Sequence, residues 1–237
     1  PRMIIDMHSH FFPEHIPDLE KQFGEPNWPW IKHVEPGKAM LMYGKQEFRP
    51  VYSACWDVDV RIGEMDRDGI DVQLFCATPV MFAYMRKAEH ALECARIFND
   101  NALEMAAKSK GRMRALCQVP LQDTDAACRE LSRSMKAGHV GVQIGNHVGD
   151  RDLDDEGILA FLQHCADEGA AVLVHEGRFY CFYSGGAWER ENYGVSYVVA
   201  DHPLGPYRRP EGGHEALLMR SRPGIVGPGH NSFTTSP

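Results

Sequence analysis

Five short apolar runs, each closed by a polar or turn-forming residue, constrain this chain more than any other feature of it. They are MIIDMHSH (residues 3–10), VQLFCAT (72–78), RALCQVP (114–120), VGVQIG (140–145) and AVLVHEG (171–177). Each is continuous rather than alternating, which is the pattern of a strand buried on both faces. Between them lie the helix-like stretches VDVRIGEMDRDG, KAEHALECARIFNDNALEMAAKS, DTDAACRELSRSMKAG and DLDDEGILAFLQHCADEG. In the third, Ala126, Ala127, Leu131 and Met135 recur at spacings of three and four on one face, with Asp123 or Thr124 as cap and Gly138 as stop. Strands alternating with helices of this length predict right-handed βαβ units and a parallel sheet.

Two regions break the pattern. From about residue 23 to 56 the chain is rich in aromatics, Pro, Gly and Lys without a helical period, and AMLMYGKQEFRPVY predicts a small hairpin or lid around Tyr43-Gly44-Lys45. After residue 177 the composition changes. Gly and Pro make up 15 of the 60 residues from 178 to 237, against 22 of the 177 before them, so this segment is expected to be a poorly ordered tail.

With 237 residues the chain can form one domain with a sizeable core, or two small ones. A formal charge of -8 opposes nucleic-acid binding, which needs clustered Lys and Arg. No apolar run approaches the roughly 18 residues of a membrane span. The first residues lack the charged and apolar regions of a secretory leader. Seven scattered cysteines form no C-x-x-C pair, and a reduced, cytoplasmic protein without a disulfide frame is expected.

The chemistry concentrates in histidines that end apolar runs. Alternate residues of a strand face one side, so His8 and His10 can point into one site, and His175 ends the fifth run. Neutral imidazoles hold Zn²⁺, Fe²⁺ or Co²⁺ and leave a position open for water. In a parallel α/β barrel the carboxyl ends of the strands carry such sites. The competing reading makes His8 and His10 polar residues where strand meets loop. Asp6, two residues before the pair, either orients a ligand imidazole or is a buried carboxylate paired to backbone. His147, in GNHVGD, is either a substrate contact or a solvated loop residue. Arg49, in FRPVY, either clamps a substrate carboxylate or lies over Tyr52 or Phe48. The acidic cluster at 150–156 lacks EF-hand spacing and reads as a solvated turn.

The segments IDMHSHFFP, FRPVY, CWDVDVRIGEMDRDGIDVQLFCATPVMF, FNDNALEMAA, QVPLQDTDAACRE and AGHVGVQIGNHVGDRDLDD closely resemble the 2-amino-3-carboxymuconate-6-semialdehyde decarboxylase family of the amidohydrolase superfamily. The resemblance runs from about residue 4 to 175. It implies a (β/α)8 TIM-barrel-like fold, here incomplete at about five βα units (residues 1–177), with a small subdomain inserted at about 23–56. It implies Zn²⁺ or another divalent transition metal on His8, His10 and His175. Arg49 then binds a substrate carboxylate, and a small-molecule carboxylate is the partner, with neither nucleic acid nor membrane. The implied reaction is cofactor-free, non-oxidative decarboxylation of a muconate semialdehyde from tryptophan or nitrobenzoate breakdown, with a metal-activated water. A homodimer is also suggested.

The resemblance stops where composition changes. Glu176 stands where the family has proline, and the family's H-G-G-G and G-[ST]-D-Y-P segments, which carry its acid/base histidine and an aspartate ligand, are absent. No catalytic acid or base is therefore identified. Residues 178–237 read as a shifted frame or divergent tail. Two further functions stay open: a superfamily hydrolase that uses the metal-bound water, and an inactive, truncated remnant of the decarboxylase.

Overall fold

The computed structural model describes residues 4–145, 147–153, 155–168, 173–175, 178–185, 194–201, 208 and 217–220. In chain order the elements are β1 (Ile5–Phe11), α1 (Leu19–Phe23), β2 (Pro29–Glu35), β3 (Lys38–Tyr43), β4 (Gln46–Tyr52), α2 (Val58–Asp68), β5 (Val72–Ala77), α3 (Ala88–Lys108), β6 (Met113–Ala115), α4 (Thr124–Ala137), β7 (His147–Val148), β8 (Arg151–Asp152), α5 (Glu156–Asp167), β9 (Leu173–His175), β10 (Arg178–Gly185), β11 (Gly194–Ala200) and β12 (Leu217–Arg220). They fall into two compact units, Pro1–Phe161 and Leu162–Pro237.

In the first unit the expected parallel strands form. The order is β1-β5-β6, and a parallel bridge from Cys117 to Val142 extends the array into the fourth apolar run. Helices α2, α3 and α4 occupy the connections between these runs, as the βαβ pattern predicts. Helix α4 starts and stops where its sequence says. Asp123 accepts from Ala126 N at 2.9 Å, and Gly138 adopts a left-handed φ of 119° at the far end. Phe11 and Phe12 at the end of β1 meet Phe75 of β5 and Phe98 of α3. The Phe11–Phe75 and Phe12–Phe98 ring centroids are 5.4 and 5.3 Å apart, edge to face. Burial of each such ring contributes about 2–3 kcal/mol. A polar clamp joins α3 to α4. Asn99 donates to Glu130 at 2.8 Å and to the Gln118 carbonyl at 2.9 Å, and Arg133 forks onto Glu130.

The region at 23–56 forms a three-stranded antiparallel sheet, β2-β3-β4. The turn between β3 and β4 falls at Gly44, as the sequence predicts. The additional strand β2 has no apolar signature because, apart from Pro29, its residues are exposed or half-buried.

The second unit contains the antiparallel sheet β12-β11-β10-β9. The fifth apolar run, read from sequence as a parallel strand, pairs antiparallel with β10, with His175 opposite Arg178. Only two residues separate β9 from β10, whereas a parallel crossover needs a dozen or more. Three strands, β10, β11 and β12, lie in the Gly/Pro-rich stretch read from sequence as poorly ordered. Among the described residues no helix is long and apolar enough to cross a membrane. The cysteines with described side chains, Cys55, Cys76, Cys94, Cys117, Cys128 and Cys165, are thiols rather than disulfides.

Candidate metal centre and its cleft

Strand β1 presents two chemically different faces, and a bulge sets them. Its pairing with β5 runs Asp6 to Gln73 and then Ser9 to Phe75, so three steps on β1 oppose two on β5. Residues paired across a parallel ladder share a face. Asp6, Ser9 and Phe11 therefore join Gln73, Phe75 and Ala77, while His8 and His10 turn to the opposite side with Cys76. Sequence alternation alone would place Asp6 with the histidines. The bulge moves it to the other face, because a slip of one residue exchanges the two sides of a strand.

Arg61 of α2 holds this arrangement from behind. Its guanidinium donates to the His10 carbonyl at 2.6 Å, the Ala54 carbonyl at 2.6 Å, Gln73 Oε1 at 3.1 Å and Ser9 Oγ at 3.2 Å. Gln73 Nε2 in turn donates to Asp6 Oδ2 at 2.7 Å, and Asp6 Oδ1 accepts the His8 backbone N–H at 3.1 Å. Of the two readings of Asp6, the structure supports the carboxylate paired to backbone and side-chain donors. Burial lowers the Arg61 pKa from its usual value, an effect offset in part by Cys55, Glu64 and Asp6.

On the other face the His8 and His10 rings meet edge on, with centroids 4.8 Å apart and planes at 86°. Their Nε2 atoms are 3.1 Å apart. His10 Nδ1 lies 3.2 Å from the Ala77 carbonyl and 3.4 Å from Cys76 Sγ. A proton on Nδ1, donated to Ala77, leaves a lone pair on Nε2 directed toward His8. Two nitrogens bound to one cation at about 2.1 Å stand roughly 3 to 3.4 Å apart. The pair thus fits a shared divalent ion. Among the described residues no group of three or more His, Cys, Asp or Glu could hold one. His175 is the last residue of β9, and its side chain, like any meeting of it with His8 and His10, lies outside the described residues.

Cys76 also bonds Gln143 Oε1, and its thiol is completely buried. Burial, reinforced by neighbouring Cys117, raises its pKa far above the usual thiol range and keeps it protonated. Gln143 opens onto a cleft of ≈ 400 Å³. Trp28 and Tyr43, from the inserted region, line this cleft with Phe82, Tyr84 and Arg86 from the segment after β5, and exposed His147 stands at it too. Arg49 of β4 lies over Phe48, as one of its two readings proposed. Its Cζ lies 5.8 Å from the Phe48 ring centroid, and its Nη2 donates to Thr78 Oγ1 at 3.3 Å, one residue beyond the carbonyl that holds His10. Cys76, Thr78, Gln143 and Tyr84 were not singled out in the sequence. One signal was present: Cys76 and Thr78 close the second apolar run as His10 closes the first.

The family profile described as Amidohydrolase matches residues 5–218. The chain is 36% identical over 172 residues to a 2-amino-3-carboxymuconate-6-semialdehyde decarboxylase of Dictyostelium discoideum, covering 72% of this chain and 48% of that protein. It is 34% identical over 173 residues to a gamma-resorcylate decarboxylase of Rhodococcus jostii (strain RHA1), covering 72% and 45%. The chain thus spans about half the length of the curated relatives it matches. Among solved structures it resembles a 5-carboxyvanillate decarboxylase of Novosphingobium aromaticivorans, complexed with manganese and 4-hydroxy-3-methoxy-5-nitrobenzoic acid. The TM-score is 0.54 at 19% identity, over 71% of this chain and 48% of that one, a likeness of fold.

Proposed function

Because this chain belongs to the amidohydrolase family, we propose that it is a metal-dependent carboxy-lyase whose substrate is 2-amino-3-carboxymuconate-6-semialdehyde or a close muconate semialdehyde. The observation that carries this reading is the His8–His10 pair, with Nε2 atoms 3.1 Å apart at the end of a parallel strand. Similarity to the Dictyostelium decarboxylase supports the reaction. Manganese in the Novosphingobium enzyme supports a divalent ion, and zinc is the ion we assign. His8, His10 and His175 would hold it. A bound divalent cation supplies Lewis-acid stabilisation of the negative charge that develops as carbon dioxide departs.

The chain's own residues account for binding and orientation. Arg49, tethered to Thr78, carries a fixed positive charge at the rim next to the metal-facing strand end and receives a substrate carboxylate. Ala77 and Cys76 keep the His10 ring aimed, and Arg61 locks the backbone that bears it. We also assign residues 1–177 to the family's barrel and read 178–237 as a departure from it. Sequencing the coding DNA tests the origin of that departure, since recovery of H-G-G-G in another frame supports a frame shift and recovery in none leaves a divergent tail.

Metal analysis of the purified chain, combined with the fall in near-ultraviolet absorbance of the semialdehyde, tests the function. His8→Ala, His10→Ala and His175→Ala should each lose the ion and all turnover. Arg49→Met should keep the ion and weaken substrate binding about tenfold or more, the loss of a charge-assisted contact. Full metal content in the histidine variants would defeat the assignment.

A further inference from the structure

We propose that Tyr84 is a specificity-determining residue, whose phenol O–H donates a hydrogen bond to an oxygen substituent on a planar carboxylate held in the cleft. The identity of the acid rests on the decarboxylase reading. The role of Tyr84 rests on the cleft itself.

The phenol oxygen is fixed in place. It accepts the Gly145 backbone N–H at 3.0 Å, a bond that does not use its own proton. Among the described residues that proton has no acceptor. Burial raises the Tyr84 pKa well above its usual value, so the group remains a neutral donor throughout the physiological range. The ring is fixed as well. A Cβ at Gly145 would stand 3.0 Å from Tyr84 Cε2, so the ring occupies the space a side chain there would need.

The backbone just before Tyr84 is held in an unfavourable conformation. Ala83 has φ 57°, in the left-handed region that side chains other than glycine's disfavour. Gln122 Nε2 and the Arg86 N–H both donate to its carbonyl, at 3.1 and 2.9 Å, and hold the turn. The turn leaves Tyr84 half-buried on the wall of the cleft, beside Phe82 with ring centroids 5.5 Å apart. Trp28 and Tyr43 line the same cleft from the inserted region. Aromatic walls around ≈ 400 Å³ suit a flat conjugated acid of about ten heavy atoms. Gln143, on the same cleft, touches Cys76, and Cys76 touches His10, so the acid would lie beside the metal-facing histidines.

A purely structural hydroxyl, present only to satisfy Gly145 N–H, makes a different prediction. The wild-type chain and its Tyr84→Phe variant are titrated calorimetrically with benzoate and with its 2-, 3- and 4-hydroxy derivatives. The wild type should bind one hydroxybenzoate about fivefold more tightly than benzoate, the worth of one neutral hydrogen bond. Tyr84→Phe should erase that preference and leave benzoate affinity unchanged. Equal weakening of both acids, or of neither, overturns the proposal, as does a wild type without preference or without binding. The wild-type preference is itself a test that needs no variant to fold. Repeating the titrations in His8→Ala separates this inference from the metal assignment. A preference that persists there stands whatever the metal analysis finds, and one that vanishes there while surviving in Tyr84→Phe assigns the selectivity to the ion and sinks the proposal.

Discussion

Strands β1 and β5 lie side by side although their paired residues, such as Ile5 and Val72, are far apart in sequence, whereas β3 and β4 pair across a turn as short as Tyr43 to Gln46. The first arrangement must offset a large loop-closure entropy before any contact rewards it. It does so with fully buried rings, Phe75 and Phe98 being 0% exposed, and with the buried guanidinium of Arg61. The inserted sheet closes short loops and leaves Phe48 58% and Tyr52 56% exposed. Function draws on both. The parallel strands hold the His8 and His10 Nε2 atoms 3.1 Å apart, while the local sheet brings Trp28 and Tyr43 to the cleft. In the proposed function the long-range half carries the histidine pair, and both halves supply the cleft, Tyr84 from one and Trp28 and Tyr43 from the other.

The most forceful way to break that contrast is Arg61→Met. Methionine fills similar space but leaves the carbonyls of His10 and Ala54 and the side chain of Gln73 without their donor. The loss should be about 3 kcal/mol, and the melting temperature should fall by roughly 10 °C. Hydrogen exchange should accelerate in β1 and β5 and remain unchanged in β2, β3 and β4. Equal acceleration in both sheets would mean that they open as one unit and that the contrast is false.

An intermediate effect comes from the local side. Gly44 has φ 57° and closes the β3–β4 turn. It donates its N–H to the Trp28 carbonyl, and its own carbonyl accepts from Trp30 Nε1 at 2.8 Å. A Cβ there would also run into Asn27 Oδ1. Gly44→Ala should cost about 1–2 kcal/mol. Its signature is the reverse of the first variant: faster exchange in β3 and β4, weaker binding of acids in the cleft, and unchanged metal content. A drop in metal content would show that the local sheet supports the histidines as well.

What could be read from sequence follows the same division. Strand β5 and helix α4 announce themselves because burial, or capping by Asp123 and Gly138, leaves a local pattern, and β1 does so by its apolar run ending at the buried Phe11. Strand β2 does not, since an exposed strand has no apolar pattern to show. The β1 bulge is equally silent: it is held by Arg61, a residue on another element, so periodicity assigned Asp6 to the wrong face. His8 and His10 were legible because both belong to one strand. Cys76, Gln143 and Tyr84 were not, because sheet pairing and a strained turn at Ala83 bring them to the site. The β9 pairing shows the limit of run-spotting, since an apolar run fixes neither the partner nor its direction.

The smallest expected effect sharpens the contrast by pH. His139, between α4 and the bridge at Val142, is 4% exposed, and its Nδ1 lies 3.1 Å from the Ser134 carbonyl. Burial, joined by the nearby Arg133 charge, lowers its pKa below the usual 6.5, and the Ser134 carbonyl, Glu130 and Asp100 offset this only in part. Below pH 6.5 the unfolded chain therefore takes up a proton at this position that the folded chain refuses. Stability from this residue is present above pH 6.5 and is lost as pH falls from there toward the folded-state pKa. His139→Gln removes that dependence. The melting temperature of the variant should decline less between pH 7 and pH 5 than that of the wild type, and the extra acid-induced exchange of the wild type should appear at the end of α4 and not in β2, β3 or β4. Parallel declines in the two proteins would show that the acid sensitivity of the parallel region arises from other groups.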